Sequence, residues 1–456
     1  MKVNETDPRV TAMALDWALI DDLLGGTRAM RLAGERHLPK WTLEEAADYQ
    51  SRLKIATLLP ALAETVRKST GRVFAKQLEL GEDVPKWIAG EVWPDVDRQG
   101  INGHSWARGW FYRALAYGLD HVLVDAPPKL LPTGEEIRTQ ADQRAAGVRP
   151  YLINISRDRI LGWQTGDDGS LTQVRITWSK TIPGTFAPTV VPQIRVYEIG
   201  KVFVYEEVET AKGKEWVQVE EITYDLPVIP LVTCYTGRTG MMQAEPPLRE
   251  LAFLNAKHWA QQCSTDSLLQ TASVPILCAT GMDEETSIKV GSKNAIKISN
   301  PDSKLFFVEH SGAAIGSGRE SLKDLEGQMR AIGAKLLEPT EGTKTATQAG
   351  EEADAANSPL ASMVQDLEDA LEQLLYVIGL YRGEPEGGNI EVRANLDPDT
   401  APIESMGVIA KMVATGGLSA ATQFAEAQRR GILSPELEWK DEQVRIQTSG
   451  PSGEVL

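Results

Sequence analysis

The spacing of apolar residues changes twice along the chain, and this change constrains the fold more than any other feature. Over residues 8–117 apolar side chains recur every three or four positions, which predicts amphipathic helices. Over 151–235 they alternate with polar residues, with breaks at Gly200 and Gly213, which predicts an antiparallel β meander. Helical spacing returns over 247–381. The sequence therefore predicts an α+β fold whose strands are paired locally.

Capping residues mark several of the predicted helix starts. Asp7 followed by Pro8 is a strong start signal, because Asp caps a helix and proline suits its first position. Residues 42–45, Thr-Leu-Glu-Glu, have the pattern of a capping box. Ser419 follows a Gly-Gly turn and predicts the start of a late helix.

Size and charge limit the possible classes of protein. A chain of 456 residues is long for one hydrophobic core, and we expect two to four cores or subdomains. The 47 Lys and Arg residues are outnumbered by 64 Asp and Glu residues, for a formal net charge of −17. Tight binding to nucleic acid needs clustered basic residues, so this balance argues against it. It does not prevent nucleic acid from passing nearby without being held.

Targeting signals and metal motifs are missing from the sequence. No window reaches 18 apolar residues, and the N-terminus has no secretory signal pattern, so we expect a chain of cytosolic type with no membrane span. Cys234, Cys263 and Cys278 have no CxxC spacing, and the five histidines are scattered. We therefore expect free thiols, no metal site and no cofactor.

One segment suggests a serine hydrolase as an alternative function. Residues 103–107, GHSWA, are similar to a nucleophile elbow whose last glycine is replaced. An elbow requires an apolar strand before the turn, whereas the preceding PDVDRQGIN is polar. We therefore interpret Ser105 as a helix N-cap.

Two other motifs are incomplete. Asp95-x-Asp97 begins like a calcium-binding loop, but Trp106 stands where a bidentate Glu is required. The strand-like run ending at Asp125 is similar to a Walker B strand, but the chain has no GxxxxGK[ST] loop to bind phosphates. Calcium binding and nucleotide hydrolysis are therefore not predicted.

The pair of helices predicted at 403–432 has helix-turn-helix spacing, so a DNA-binding protein is a second alternative. The basic residues Arg429 and Arg430 stand at the C-terminal end of the second helix, whereas the N-terminal end enters the DNA groove. A packing helical hairpin is the better interpretation.

The longest patterned segment, 247–382, has a distinctive order of elements. A helix of about 25 residues is followed by a compact stretch with strand-like pieces at 275–310 and by a second helix at 321–337. Residues 339–358 then contain no Val, Ile, Leu, Met, Phe, Trp or Tyr, and a further amphipathic helix follows. Such a small-residue stretch cannot contribute bulky side chains to a core.

This segment resembles the portal proteins of tailed bacteriophages, which form the ring at one capsid vertex through which DNA enters and leaves. EPPLRELAFLN at 245–255 is similar to the start of their first stem helix, and 344–383 is similar to their tunnel loop and the helix behind it. The KTAT opening of that stretch and GGLSAATQ at 416–423 are similar to a portal-like family whose domain has no assigned name. GLDHVLVDAPP and RPYLINISRDRILGWQ are similar to the wing of that family.

The resemblance implies a portal fold with a mixed helical and antiparallel-β wing, two long stem helices, a small α/β clip and a helical C-terminal region, assembled as a ring. Its implied divisions are a wing at 1–245, a first stem helix at 246–274, a clip at 275–316, a second stem helix at 317–338, a tunnel loop at 339–348, a long helix returning to the wing at 349–383 and a crown-like region at 384–456.

The implied function is structural. Such proteins form rings of twelve subunits, bind the large terminase subunit during DNA packaging and bind head-completion or adaptor proteins afterwards. Major capsid and scaffolding proteins are further implied partners, and double-stranded DNA passes through the channel. The implied location is the capsid vertex of the virion, with the host cytoplasm during assembly. No enzymatic activity is expected.

Candidate site residues follow from these divisions and from charge. Residues 318–382 contain 6 basic and 12 acidic side chains, so we expect a lining that repels phosphate and makes only sparse positive contacts. The DNA-channel candidates are Thr343, Lys344, Thr345, Thr347, Gln348, Arg330 and Lys335. The motor-docking candidates in the clip are Lys289, Lys293 and Lys297.

Overall fold

The chain forms two compact units, Met1–Leu396 and Asp397–Leu456, which are described separately. The predicted boundary of the C-terminal region, residue 384, therefore falls inside the first unit. The computed structural model describes residues 2–127, 148–210, 213–273, 276–280, 304–308, 313–337, 358–396, 402–429, 432–433 and 437–449.

Helices and strands of the described residues are numbered in chain order. The helices are α1 (Pro8–Leu24), α2 (Gly26–Ala33), α3 (Ala46–Ile55), α4 (Ala61–Val73), α5 (Gly103–Tyr117), α6 (Arg249–Ala272), α7 (Ala313–Ala334), α8 (Pro359–Leu380), α9 (Pro402–Ala414), α10 (Ala420–Arg429) and α11 (Trp439–Ser449). The strands are β1 (Glu79–Leu80), β2 (Leu119–Asp125), β3 (Tyr151–Ile155), β4 (Ile160–Thr165), β5 (Leu171–Ile182), β6 (Thr189–Glu198), β7 (Lys201–Thr210), β8 (Gly213–Thr223), β9 (Leu231–Tyr235), β10 (Arg238–Gly240), β11 (Gln243–Ala244), β12 (Ile276–Thr280), β13 (Lys304–Val308) and β14 (Ile390–Glu391).

The starts of the first helices show which capping signals are used. Helix α1 begins as predicted, because the Asp7 carboxylate accepts the backbone N–H of Arg9 and Pro8 takes the first helical position. The capping box predicted at 42–45 is wrong, since α3 begins at Ala46. Its acidic member, Glu45, is the residue before the helix and makes no side-chain capping hydrogen bond, while the neighbouring Glu44 binds the guanidinium of Arg52.

Strand β2 is the centre of a three-stranded antiparallel sheet, with β3 on one side and β9 on the other. Six of its seven residues are buried, and only Asp125 at its end is partly exposed. Helix α5 packs against this strand on one side and α8 also contacts it. The three-stranded sheet therefore joins the N-terminal helices to the later part of the unit.

Strands β4 to β8 form a five-stranded sheet in sequence order, and each neighbouring pair is antiparallel. The predicted meander is thereby confirmed. The turn between β6 and β7 contains Gly200, whose φ of 78° lies in the left-handed region that glycine adopts without strain. Strand β8 is the edge of this sheet and is exposed along nearly its whole length.

The segment predicted to contain three long helices does contain them in its described residues. Helix α6 has 24 residues and α8 has 22, with Ser358 capping α8 through the backbone N–H of Ala361. Helix α7 begins at Ala313, ahead of the predicted starts at 317 and 321. The predicted starts are late because the first six residues, AAIGSG, contain a single bulky apolar side chain and so show no helical spacing. Strands β12 and β13, which lie between α6 and α7 in the chain, pair in antiparallel orientation.

Contacts between residues that are distant in sequence link the early and late parts of the first unit. Strand β1 pairs with β14, and the Asp83 carboxylate accepts the backbone N–H of Asn389 across 306 positions. The Trp87 indole donates a hydrogen bond of 2.8 Å to Glu384, and Arg382 pairs with Glu91 at 2.7 Å. Residues 384–396 are therefore part of the first compact unit.

One hydrophobic core runs through the first unit. It contains Trp17 of α1, Trp110 and Phe111 of α5, and Trp259 of α6, together with most of the inner face of α8. A smaller cluster lies on the other face of the five-stranded sheet. The observed architecture is α+β, as predicted, whereas the division into wing, stem and clip stays a prediction.

The second unit contains α9, α10 and α11. Ser419 caps α10 as predicted, with its hydroxyl oxygen 3.1 Å from the backbone N–H of Thr422. The rings of Phe424 and Trp439 pack with their centroids 5.3 Å apart, which joins α10 to α11. The unit is a small helical assembly with an aromatic contact at its centre.

Candidate functional site

The packed pair of helices α6 and α7 is the candidate functional site, because it holds the site residues that the structure describes. The two helices lie against each other, and α6 also packs on α1, α3 and α4. The buried residues of α7 include Leu325 and Met329, which follow the predicted spacing of three and four. The pair is therefore attached to the N-terminal helices along one side.

Asn255 attaches α6 to the start of α4. The residue is fully buried, its Oδ1 accepts the backbone N–H of Leu62 at 3.1 Å, and its Nδ2 donates to the Leu59 carbonyl at 2.9 Å. The Leu62 N–H belongs to the first turn of α4, where backbone donors lack intrahelical partners. One asparagine side chain thus satisfies two backbone groups 193 and 196 positions away.

Helix α6 contacts α3 at Arg52, which forms a buried ion pair with Glu44. Arg52 donates two hydrogen bonds of 2.7 Å to the two carboxylate oxygens of Glu44, and both side chains are 3% exposed. The hydrogen bonds from Arg52 hold the pKa of Glu44 below its usual value. The Cys263 thiol of α6 lies 3.4 Å from the Arg52 carbonyl, and burial raises the pKa of this thiol. Cys263 is thus a packing residue and a weak donor.

Two predicted DNA-channel residues, Arg330 and Lys335, lie at and just beyond the end of α7. Arg330 is 81% exposed and lies 3.4 Å from the Glu326 carboxylate one turn earlier, which partly neutralises it. Lys335 is exposed and follows the last residue of the helix. The structure therefore places the two cations close together on one helix end, and whether they face DNA stays a prediction.

The remaining predicted site residues lie outside the described residues. These are the channel candidates Thr343, Lys344, Thr345, Thr347 and Gln348 and the clip candidates Lys289, Lys293 and Lys297. Their predicted roles are untested.

The acidic excess predicted for 318–382 is unevenly distributed. Helices α6 and α7 together carry five basic and five acidic residues, whereas α8 carries four acidic residues and no Lys or Arg. Burial raises the pKa of Asp366 and of Glu368, and the latter accepts the backbone N–H of Val392 at 2.7 Å. Among these three described helices, the excess of negative charge is thus on α8.

Sequence reasoning missed a set of polar side chains on the inner face of α6. Asn255, His258 and Thr265 are buried, and Gln262 has a buried carbonyl oxygen. These residues belong to the apolar period of the helix, so their spacing alone suggested core positions. The signal that could have found them is the repeated placement of hydrogen-bonding groups at positions where a core helix normally carries Leu or Ala.

The contacts of Ser105 are those of a helix start. Its N-cap is Asn102, so the interpretation of Ser105 as the cap is wrong by three positions. Asn102 accepts the Ser105 backbone N–H at 2.9 Å. The neighbouring His104 accepts the backbone N–H of Leu78, and its ring packs edge-on against Phe74. These contacts do not form the nucleophile–base pair that a serine hydrolase requires.

The Asp95–Asp97 loop is an ordinary turn. Asp97 Oδ1 accepts the backbone N–H of Gln99, and Asp95 accepts that of Gly100 and pairs with Arg149 at 2.7 Å. Among the described residues, no group of three or more His, Cys, Asp or Glu side chains could hold a metal ion.

The helical pair α9 and α10 packs as a hairpin. Phe424 and Ala427 of α10 are buried, and Gln428 donates a hydrogen bond to the Leu437 carbonyl within the same unit. The middle and end of α10 are thus engaged by their own unit. Within the described parts of the chain, no helix is both long enough and apolar enough to cross a membrane.

Comparisons with known proteins add a family match and three structural similarities. The family described as a domain of unknown function (DUF4055) matches residues 247–381, a minority of the chain that includes α6, α7 and α8. No curated protein matches significantly.

The three solved structures come from gene transfer agent (GTA) particles. A chain from the neck of an empty GTA particle, computed with C6 symmetry, is 14% identical, covers 80% of this chain and 88% of its own, and has a TM-score of 0.42. A chain from the virion of the native particle is 13% identical, with coverages of 88% and 98% and a TM-score of 0.41. A chain from the native neck, computed with C12 symmetry, is 13% identical, with coverages of 80% and 88% and a TM-score of 0.39. Similarities this weak assign no function to the chain.

Proposed function

We propose that the chain is the portal subunit of a tailed phage or phage-like particle. The observation that carries this proposal is the order of elements from α6 to α8: a long helix, a pair of short antiparallel strands, a second long helix packed on the first, and a third long helix. This order is the one implied by the resemblance to portals, and the DUF4055 match covers the same segment.

In this proposal twelve copies form a ring at the capsid vertex, and α6 and α7 of every copy form the stem around a DNA channel. Residues 275–316 form the clip that docks the terminase large subunit and later the adaptor proteins, with Lys289, Lys293 and Lys297 as docking candidates. The region 1–245 is the wing, which meets capsid and scaffolding proteins. The subunit has no enzymatic activity of its own and assembles in the host cytoplasm.

Charge distribution supports passage of DNA without retention. The described stem helices are balanced in charge, and Arg330 is already paired with Glu326. A pore that forms few phosphate contacts releases few counterions, so its grip on DNA is weak. Thr343, Lys344, Thr345, Thr347 and Gln348 in the tunnel loop would then be close, non-adhesive neighbours of the DNA.

The test of the ring is the size and shape of the purified protein. We expect light scattering to give the mass of a multimer and negative-stain images to show rings with a central hole. A population that stays monomeric at high concentration would contradict the proposal. Asn255 holds α6 against the start of α4, so an Asn255→Leu variant should form fewer rings. The control Asp324→Asn changes an exposed residue and should form rings normally.

A second test addresses the tunnel loop. Shortening residues 340–348 should leave the rings intact and reduce DNA packaging or retention in an assembly assay. Loss of the rings themselves would show that the segment is structural and would remove the proposed channel role of Lys344 and its neighbours.

A further inference from the structure

A cavity of about 430 Å³ lies between α6, α7 and the segment that precedes α4. It is within the size range of small-ligand pockets. The helices supply most of its polar groups, and the preceding segment supplies mainly apolar ones. Its lining residues are Thr57, Leu58, Leu59, Pro60, His258, Gln262, Thr265, Asp266, Leu269, Arg319, Leu322 and Glu326.

Three polar atoms at this cavity are buried without a hydrogen-bond partner among the described residues. His258 is 2% exposed; its Nδ1 has no hydrogen-bond partner, and its Nε2 lies beyond hydrogen-bond distance of Glu326, at 3.7 Å. Gln262, one helical turn later, buries an unpaired Oε1. Buried polar atoms are nearly always paired, because leaving one unpaired costs about 1 to 3 kcal/mol. These atoms cluster at one cavity, where the polar groups of a ligand would pair with them.

Two carboxylates face the same cavity. Asp266 is one turn beyond Gln262, has no described ion pair, and burial raises its pKa. Glu326 Oε1 of α7 lies 3.7 Å from His258 Nε2, and its other oxygen is 3.4 Å from Arg330. Arg319 at the rim is exposed and has no described ion pair. The interior of the cavity therefore offers acceptors and negative charge, with its cations at the edge.

These features select one class of ligand. An anion would be repelled by Asp266 and Glu326, and an apolar group would leave Gln262 Oε1 unpaired. A bare metal ion lacks a sufficient set of ligands among the described residues. We propose that the cavity binds a guanidinium or alkylammonium group, whose several N–H donors bridge Gln262 Oε1, Asp266 and Glu326.

The group could belong to a free molecule or to an Arg or Lys side chain of a second copy of this chain, and both have the same chemistry. The site is built within one chain, so its existence does not depend on the proposed ring. Only the second source depends on assembly.

The first arm of the test uses purified protein at low salt and isothermal titration with putrescine and with ethylguanidine. We expect saturable binding of one molecule per chain. Asp266→Asn and Gln262→Leu should each weaken it about tenfold, because each removes an acceptor for a charged donor. The control Asp324→Asn removes an exposed carboxylate from α7 and should leave affinity unchanged. Circular dichroism confirms that each variant is folded.

The second arm distinguishes the two sources. If a neighbouring copy fills the cavity, putrescine should bind dissociated subunits and not assembled ones, and a carbodiimide should cross-link Asp266 to a lysine of another copy. If the ligand is free, putrescine should bind both forms. The proposal is overturned if neither probe binds in either form and no cross-link forms at Asp266, or if Asp324→Asn weakens binding as much as Asp266→Asn does. A failure to form rings affects only this second arm.

Discussion

Strand β2 and the cavity between α6 and α7 both bury polar side chains, but they differ in how these are paired. On β2, Asp120 Oδ2 accepts hydrogen bonds of 2.7 Å from both Arg113 and Asn154, while Asp120 Oδ1 is buried without a hydrogen-bond partner among the described residues. His121 Nδ1 lies 2.8 Å from the Thr233 hydroxyl. At the cavity, Gln262 Oε1 has no hydrogen-bond partner among the described residues, and His258 Nε2 lies 3.7 Å from Glu326, beyond hydrogen-bond distance. Hydrogen bonds to buried polar groups stabilise one arrangement of the core, whereas a buried polar atom without a partner costs stability.

The largest effect is expected from breaking the pairing on β2. Asp120 is 1% exposed, so Asp120→Ala would leave Arg113 and Asn154 without their acceptor. We expect the free energy of unfolding to fall by about 3 to 5 kcal/mol. Urea denaturation followed by circular dichroism measures it. A loss below about 1 kcal/mol would show that the pairing on β2 is dispensable, and Asp324→Asn should change stability by less than about 0.5 kcal/mol.

The next effect concerns Asn255, the paired polar residue of α6. Asn255→Leu removes an acceptor from the Leu62 N–H and a donor from the Leu59 carbonyl. We expect a loss of about 2 to 4 kcal/mol in unfolding free energy. The matched control on the same helix is Ser264→Ala, because its hydroxyl bonds only the Ala260 carbonyl one turn earlier. Equal losses in both variants would contradict the anchoring role of Asn255.

A pH dependence tests the burial of His121 on β2. Burial lowers the pKa of His121 to about 3 from an ordinary value of 6.5. Below pH 6.5 the unfolded chain binds a proton that the folded chain does not, so stability is lost as the pH falls towards 3. At pH 5 the loss from this residue is about 2 kcal/mol. A His121→Asn variant should lose less stability than the parent between pH 7 and pH 5, and equal losses would refute the assignment.

The smallest expected effect is an increase in the free energy of unfolding, in Asp266→Asn, and not a decrease. Burial raises the pKa of Asp266, so its charged form is disfavoured in the folded protein at pH 7. Asp266→Asn should therefore stabilise the ligand-free protein, by about 0.5 kcal/mol because the group is partly exposed and screened by solvent. Thermal unfolding at pH 7 measures the change. A destabilised Asp266→Asn variant would mean that the carboxylate already has a partner, which would remove the contrast with Asp120.

Local patterns predicted much of the fold but little of the candidate site. The two-residue period of 151–235 and the capping signals at Asp7 and Ser419 depend on neighbouring residues, and the structure confirms them. The capping box at 42–45 is wrong because the helix begins at Ala46, so Glu45 stands before the first turn, where the box requires it within that turn.

The site depends on contacts that no local pattern contains. Asn255 bonds residues nearly 200 positions earlier, and His258 meets Glu326 from another helix. Neither partner could be inferred from the spacing within α6. The channel and clip candidates at 343–348 and 289–297 lie outside the described residues, so their prediction rests on the resemblance alone.

The pairing of β1 with β14 has a consequence for biosynthesis. The two strands are separated by about three hundred positions in the sequence. Asp83 and Asn389, which are linked by a hydrogen bond, are equally far apart. Contacts this distant in sequence form late, because a long loop must close before they contribute free energy. During translation, β1 has no partner until almost the entire first unit has been synthesised, because β14 is the last strand of that unit. A nascent chain interrupted before residue 390 would therefore leave β1 unpaired. The time at which translation passes β14 thus sets the earliest time at which the first unit can complete its fold.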